Sequence, residues 1–132
     1  MTTNTAGTAA HEGSFAAIHY IRYNLIETSP ASFTIGILPA GSVILPMLSG
    51  VFVNVLFSGT SPTLDIGITG STTLYASALD LDAALGYVTL DEISGDILKV
   101  LVDTPLIATF VADTPTTGIG DATIIIAHCP NL

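Results

Sequence analysis

Val51-Phe52-Val53-Asn54-Val55-Leu56-Phe57-Ser58 puts Val51, Val53, Val55 and Phe57 on one parity and Phe52, Asn54, Leu56 and Ser58 on the other. Side chains on a strand alternate between its two faces, so this period of two reads as β-structure. Immediately downstream, Gly59-Thr60-Ser61-Pro62 is a turn, after which Leu64, Ile66 and Ile68 alternate with Asp65, Gly67 and Thr69 as a second half-exposed strand. Upstream, Ser42 to Leu45 is separated from Met47 to Ser58 by Pro46, which lacks an N–H for the ladder and so marks an edge or a bulge.

Working outward, Phe33 to Leu38 forms a short strand closed by the turn Leu38-Pro39-Ala40-Gly41. Phe15 to Leu25 is enriched in aromatic and β-branched residues, which favours a further strand, and Asn24 to Ser32 with Pro30 is a turn. Towards the other end, Ile97 to Val102 and Leu106 to Val111 are strands. Asp103-Thr104-Pro105 and Asp113-Thr114-Pro115 bracket the second as turn punctuation. Ala122 to Cys129 contains the run Ile124-Ile125-Ile126-Ala127 and reads as a central strand covered on both faces. Residues 74–86 alone carry good helix formers, with Gly86 able to end a helix, so a short helix or a loop over the sheet is expected there. About eight strands separated by Gly, Pro, Ser and Thr turns give an all-β fold, an antiparallel β-sandwich or jelly roll with an up-and-down barrel as the alternative. Residues 1–13, rich in Thr, Ala and Gly, form a flexible N-terminal arm; 14–132 form a single domain.

Composition restricts the partners. Of 132 residues, 49% are hydrophobic and 10% charged, against about a quarter charged in an ordinary soluble domain. Such a chain leaves apolar residues near its surface, and burying them against further copies or another subunit relieves the exposure. The net charge of −9, with Arg22 and Lys99 the two basic residues, argues against nucleic acid as a direct ligand, so no nucleic-acid partner is expected. It equally disfavours docking on an anionic membrane. Thr28 to Leu64 has no charged residue, yet Pro46, Ser49, Gly50 and Asn54 interrupt its apolar part, which falls short of the roughly 20 residues of a spanning helix. No signal peptide is expected in Met1 to Gly13, and the lone Cys129 fits folding in a reducing compartment.

The chemistry-bearing residues do not assemble into a reactive pattern. Asp80, Asp82, Asp91 and Glu92 cluster around Leu85-Gly86, but a calcium loop counted from Asp80 places Ala84 at position five and Gly86 at seven, where an oxygen ligand at five and glycine at six are needed. A solvated acidic loop is the better reading. His11, His19 and His128 read as structural. His128 and Cys129, adjacent on a strand, point to opposite faces and cannot pair as base and nucleophile. Gly118-Ile119-Gly120-Asp121 precedes a strand, not a phosphate-binding helix. No cofactor, no metal and no enzymatic activity are expected. The residues expected at an oligomer or coat interface are Phe15, Ile18, Tyr20, Val43, Leu45, Met47, Leu48 and Phe52.

Leu38-Pro39-Ala40-Gly41-Ser42-Val43-Ile44, then Val51 to Ser61, then Leu64-Asp65-Ile66-Gly67, with the closing Thr116-Thr117-Gly118 to Ile126, resembles small structural proteins of tailed bacteriophage virions. The similarity covers residues 34–70 and 105–129 and is one of turns and alternation; Pro46 and its apolar surroundings depart from it. The resemblance implies a capsid decoration (cement) protein, a homo-oligomer with a trimer favoured, on the outer capsid surface, assembled in the host cytoplasm and docked on the major coat protein. A tail, fibre or receptor-binding module is the alternative.

Overall fold

The alternating segments pair into two antiparallel sheets. In chain order the strands are β1 (His19–Ile26), β2 (Ser32–Leu38), β3 (Val43–Ile44), β4 (Gly50–Val55), β5 (Thr63–Ile68), β6 (Ser71–Asp80), β7 (Gly86–Thr89), β8 (Thr104–Val111) and β9 (Asp121–Cys129). The computed structural model describes residues 18–27, 29–59, 61–91, 99–111 and 119–129. One sheet has the order β1-β9-β4-β7, with β3 also paired to β9; the other has the order β2-β8-β5-β6. The ladders fall into two separate sheets, which makes the fold an all-β sandwich and sets the barrel alternative aside.

The inner faces supply the core. Leu25, Ile44, Val51, Ile124 and Ile126 of the five-stranded sheet meet Leu38, Leu64, Ile66 and Leu106 of the four-stranded sheet, all fully buried. Each such side chain contributes about 1.5–3 kcal/mol of transfer free energy. One edge is closed by Tyr23 of β1 stacked on Phe33 of β2, ring centroids 4.4 Å apart. Phe57 meets Phe110 edge-on at 5.4 Å deeper in the sandwich.

Three expectations from the sequence are corrected. Residues 74–80, where a helix or covering loop was expected, belong to β6, because pairing with β5 outweighs the helix propensity of Ala and Leu. A bulge interrupts that ladder at Ser77–Ala78, with Ala78 at φ 52°. Asp91 Oδ1 accepts the Ser77 N–H at 3.0 Å and Asp65 Oδ1 the Ala78 N–H at 2.6 Å, so two carboxylates satisfy the donors the bulge frees. Residues 86–89, the tail of the expected helical segment and beyond, form β7.

Residues 99–102 are not a strand: Lys99 makes one isolated bridge to Val43, and Leu101 and Val102 lie exposed in a bend. The third correction concerns Val55. A register shift between Val53 and Val55 turns it outward, while Phe57 stays buried as the alternation requires. β9 is central, as expected, but its Thr123 and Ile125 face is only half-covered.

Candidate interaction surface

The outer face of the five-stranded sheet gathers most of the residues expected at an interface. Register places Asn24, Thr123, Phe52 and Tyr87 in one row across β1, β9, β4 and β7, and Arg22, Ile125, Gly50 and Thr89 in the next. Tyr20 lies opposite Ala127 in the row beyond, and Val43 opposite Cys129 at the end of the sheet. Tyr20 and Phe52 are exposed on this face and Ile18 is exposed just before β1; Val43 and Leu45 are half-buried beside it. Phe15 lies outside the described residues, as do the arm at 1–13, His11 and Glu92.

Gly50 is what lets this face close. A Cβ at Gly50 would run into the Val88 carbonyl oxygen and stand 3.1 Å from Tyr87 Cε1, so the Tyr87 ring lies over the gap that the missing side chain leaves. Burial there pushes the Tyr87 phenol up from its ordinary value, and the nearby Tyr20 adds to the shift.

Met47 and Leu48 stand at one end of the face, on a 3₁₀ turn over Pro46–Leu48. The turn is a surplus in the ladder. Ile44 opposes His128 and Gly50 opposes Ile125, so six steps on the β3–β4 side span three on β9, and three residues are extruded. Ser49 repairs the resulting gap. Its Oγ accepts the Ala127 N–H at 2.9 Å and donates to the Leu45 carbonyl at 2.8 Å, while the Leu45 N–H continues the ladder to Ala127 O at 2.8 Å. Ser49 is fully buried, and Met47, at 87% exposure, is the most exposed large apolar residue among those described. Leu45, Pro46, Met47 and Leu48 together line an open apolar hollow.

The two outer faces differ in chemistry. On the four-stranded sheet, Ser32, Thr109 and Asp65 share one row and Thr34, Ile107 and Gly67 the next, with Ile37 opposite Pro105 and Val111 opposite Thr63 exposed beyond them, a surface that mixes hydroxyls and a carboxylate with aliphatic but no aromatic side chains in these rows. On the five-stranded sheet the charged residues among those described are Arg22 and Asp121, and Asp121 Oδ1 accepts from Asn24 Nδ2 at 2.8 Å at the rim. Other exposed apolar residues, such as Leu85, stand singly and need no partner. Tyr87 is missed in the sequence because a helix ending at Gly86 hides its strand, and Ile125 because its strand reads as covered on both faces. Tyr87-Val88-Thr89, three strand-formers directly after a glycine, was the available signal.

Among the described residues no three His, Cys, Asp or Glu side chains come together to hold a metal ion. Asp80 Oδ1 accepts the N–H groups of Asp82 and Ala83 at 2.9 and 3.1 Å, an Asx turn into β7. Hydrogen bonding from Asp82 holds the Asp80 carboxyl below its usual range and raises that of Asp82. His19 and His128 are directly opposed, with ring centroids 5.8 Å apart. His128 is buried with no hydrogen-bond partner at Nδ1, and burial, then the neighbouring His19, lowers its pKa. Cys129 is buried. No helix of the described residues is long and apolar enough to cross a membrane.

No protein-family model matches the chain, and neither does any curated protein. Two solved structures share the fold. A chain of the cyanophage Pam1 capsid asymmetric unit is 20% identical, with 86% of this chain and 84% of that chain covered and a TM-score of 0.58. A chain of the capsid of Ralstonia phage GP4 is 18% identical, with 100% and 90% covered and a TM-score of 0.63. At these identities the likeness is one of fold.

Proposed function

We propose that this chain is a structural subunit of a tailed-bacteriophage virion, a capsid decoration protein that oligomerises, with a trimer favoured, and clamps neighbouring coat subunits from the outer surface of the shell. The observation that carries the reading is the exposed aromatic face of Tyr20, Phe52 and Tyr87 on the five-stranded sheet, where Arg22 and Asp121 are the charged residues among those described. An aromatic side to hide suits a subunit in a layer. The likeness of its fold to chains of two phage capsids supports the same reading. The work is mechanical rather than catalytic: many copies make individually weak contacts that act together on one lattice. Residues 1–13, outside those described, serve in this proposal as an arm that adds a strand to a partner or wraps it.

The test is co-sedimentation of the purified chain with coat shells of its phage that lack it. Wild type pellets with the shells in fixed stoichiometry, and Phe52→Asp combined with Tyr87→Asp remains in the supernatant while keeping its β-sheet circular dichroism. Deleting residues 1–13 weakens pelleting without altering the fold. Failure of the wild type to bind shells, or binding confined to isolated tails, overturns the decoration reading.

A further inference from the structure

We infer that His19 and His128 form a binding site for a transition-metal ion of the zinc class, a clip that fastens the edge strand β1 to β9. The two residues are directly opposed in that ladder, and their ring centroids stand 5.8 Å apart at an interplanar angle of 40°. An ion held about 2.0–2.1 Å from one nitrogen of each ring lies about 3.2 Å from each centroid. The observed separation therefore corresponds to a nitrogen–metal–nitrogen angle of about 130°, and closing the rings by about 0.6 Å reaches the tetrahedral value. Directly opposed strand positions fix the spacing of the two Cβ atoms, so little freedom remains to be lost on binding. The residues lie far apart in sequence, which is why no ligand spacing announces a metal.

His128 stands in surroundings that suit an aliphatic side chain better than an imidazole. It shares the inward parity of Ile124 and Ile126 and is 5% exposed. Its row places it between Ile44 of β3 and His19 of β1, next to a row in which Ile21 opposes Ile126. These aliphatic neighbours offer no hydrogen bond, and Nδ1 is buried without a partner. Ser42 Oγ, the other such atom among the described residues, belongs to the same end of the sheet, two residues before Ile44. Buried polar atoms without partners are penalised and rare, so a hydrocarbon would occupy position 128 at less cost. Ligation of a metal is a role that no hydrocarbon fills. His19 is exposed, which gives an ion its path from solvent. Imidazole nitrogens suit zinc, nickel and copper, whereas magnesium and calcium take oxygen donors. No third His, Cys, Asp or Glu joins the pair among the described residues, so water completes the coordination sphere. The net charge of −9 enriches cations around the chain.

The experiment takes the full-length chain without an affinity tag, strips it with a chelator and adds zinc or magnesium chloride alone. Isothermal titration gives one zinc ion per chain, and zinc at about one hundred times its Kd raises the melting temperature by about 10 °C. Magnesium leaves the melting temperature unchanged. His19 is exposed, so His19→Gln keeps the fold, as circular dichroism will confirm. That variant binds zinc about a hundredfold more weakly, at least the loss that an outer-shell change produces. His11→Gln and Cys129→Ser leave binding as it was. Zinc also shifts the ring resonances of His19 and His128 in the NMR spectrum of the wild type, a readout that needs no variant of the buried residue. A chain that binds no zinc, or a His19→Gln variant that binds it equally well, overturns the inference. So does binding that follows His11 or Cys129 instead. The measurement involves no coat shells, so the decoration reading stands or falls separately.

Discussion

Replacing Ser49 by alanine removes a hydroxyl that stands where a stretch of ladder is missing. The Ala127 N–H then loses its acceptor in a site with no solvent access. An orphaned buried donor costs about 1–3 kcal/mol. The Leu45 carbonyl suffers less, since it also accepts the Leu48 N–H at 3.1 Å. The expected loss is therefore about 2 kcal/mol, set by the orphaned donor. For a domain of this size about 3–5 °C in Tm accompanies each kcal/mol, so the melting temperature falls by about 6–10 °C. Urea titration followed by far-UV circular dichroism measures the change, with an unchanged m-value showing that the unfolded reference is the same.

The register arithmetic supplies a sharper control. Deleting residues 46–48 brings Leu45 opposite Ala127 and residue 49 opposite Ile126, on the inner face, with Gly50 still opposite Ile125. The hydroxyl then has no gap to fill, and Ser49→Val is stabilising in the deletion variant although Ser49→Ala is destabilising in the intact chain. A Ser49→Ala variant within about 0.5 kcal/mol of wild type, the ordinary scatter of neutral surface changes, refutes the repair role. A deletion variant that does not fold refutes the three-residue extrusion.

His128 gives a pH dependence of defined sign. Its pKa in the folded chain is lowered, so the unfolded chain binds more protons; stability is fully present above about pH 6.5 and declines as pH falls below it. His128→Gln should flatten that slope in thermal melts between neutral and mildly acidic pH, and an unchanged slope would assign the dependence to other groups. Gly50→Ala should destabilise by about 1–3 kcal/mol, because the new Cβ forces β7 away from β4 at the Val88 carbonyl. Urea melts check this, and a neutral result would mean that the Tyr87 ring and the strand behind it yield freely.

The sequence carried the sheets well and their irregularities poorly. Val51 and Val53, like Leu64 and Ile66, share one face by alternation, a local property that the pleat converts directly into burial. Residues 74–80 are not so legible, because Ala and Leu favour a helix in isolation, while the bulge at Ser77–Ala78 depends on Asp65 and Asp91 from elsewhere in the chain. Val100 shows the same limit. Its hydrogen bonds go to Gly41 and Ser42 rather than to a strand, a partnership that no local pattern announces. For the surface, Ile18, Tyr20, Val43, Leu45 and Phe52 are legible as an apolar excess, but that Tyr20, Val43 and Phe52 lie in rows of one sheet follows only from the ladders of β9. Pro46 signalled a disturbance correctly. That it extrudes three residues required the register on both sides of it.

The central place of β9 also governs when the molecule can form. Among the described strands β1, β3 and β4 each pair with β9 and with no other except that β4 also takes β7, so the five-stranded sheet lacks its spine until residues 121–129 have been synthesised. During translation the earlier strands leave the ribosome with their ladder edges open and their apolar faces wet. Contacts of such long sequence separation close slowly and leave a window for aggregation. A nascent chain stalled before Asp121 should therefore engage holding chaperones and remain sensitive to protease, and should lose both properties once β9 emerges.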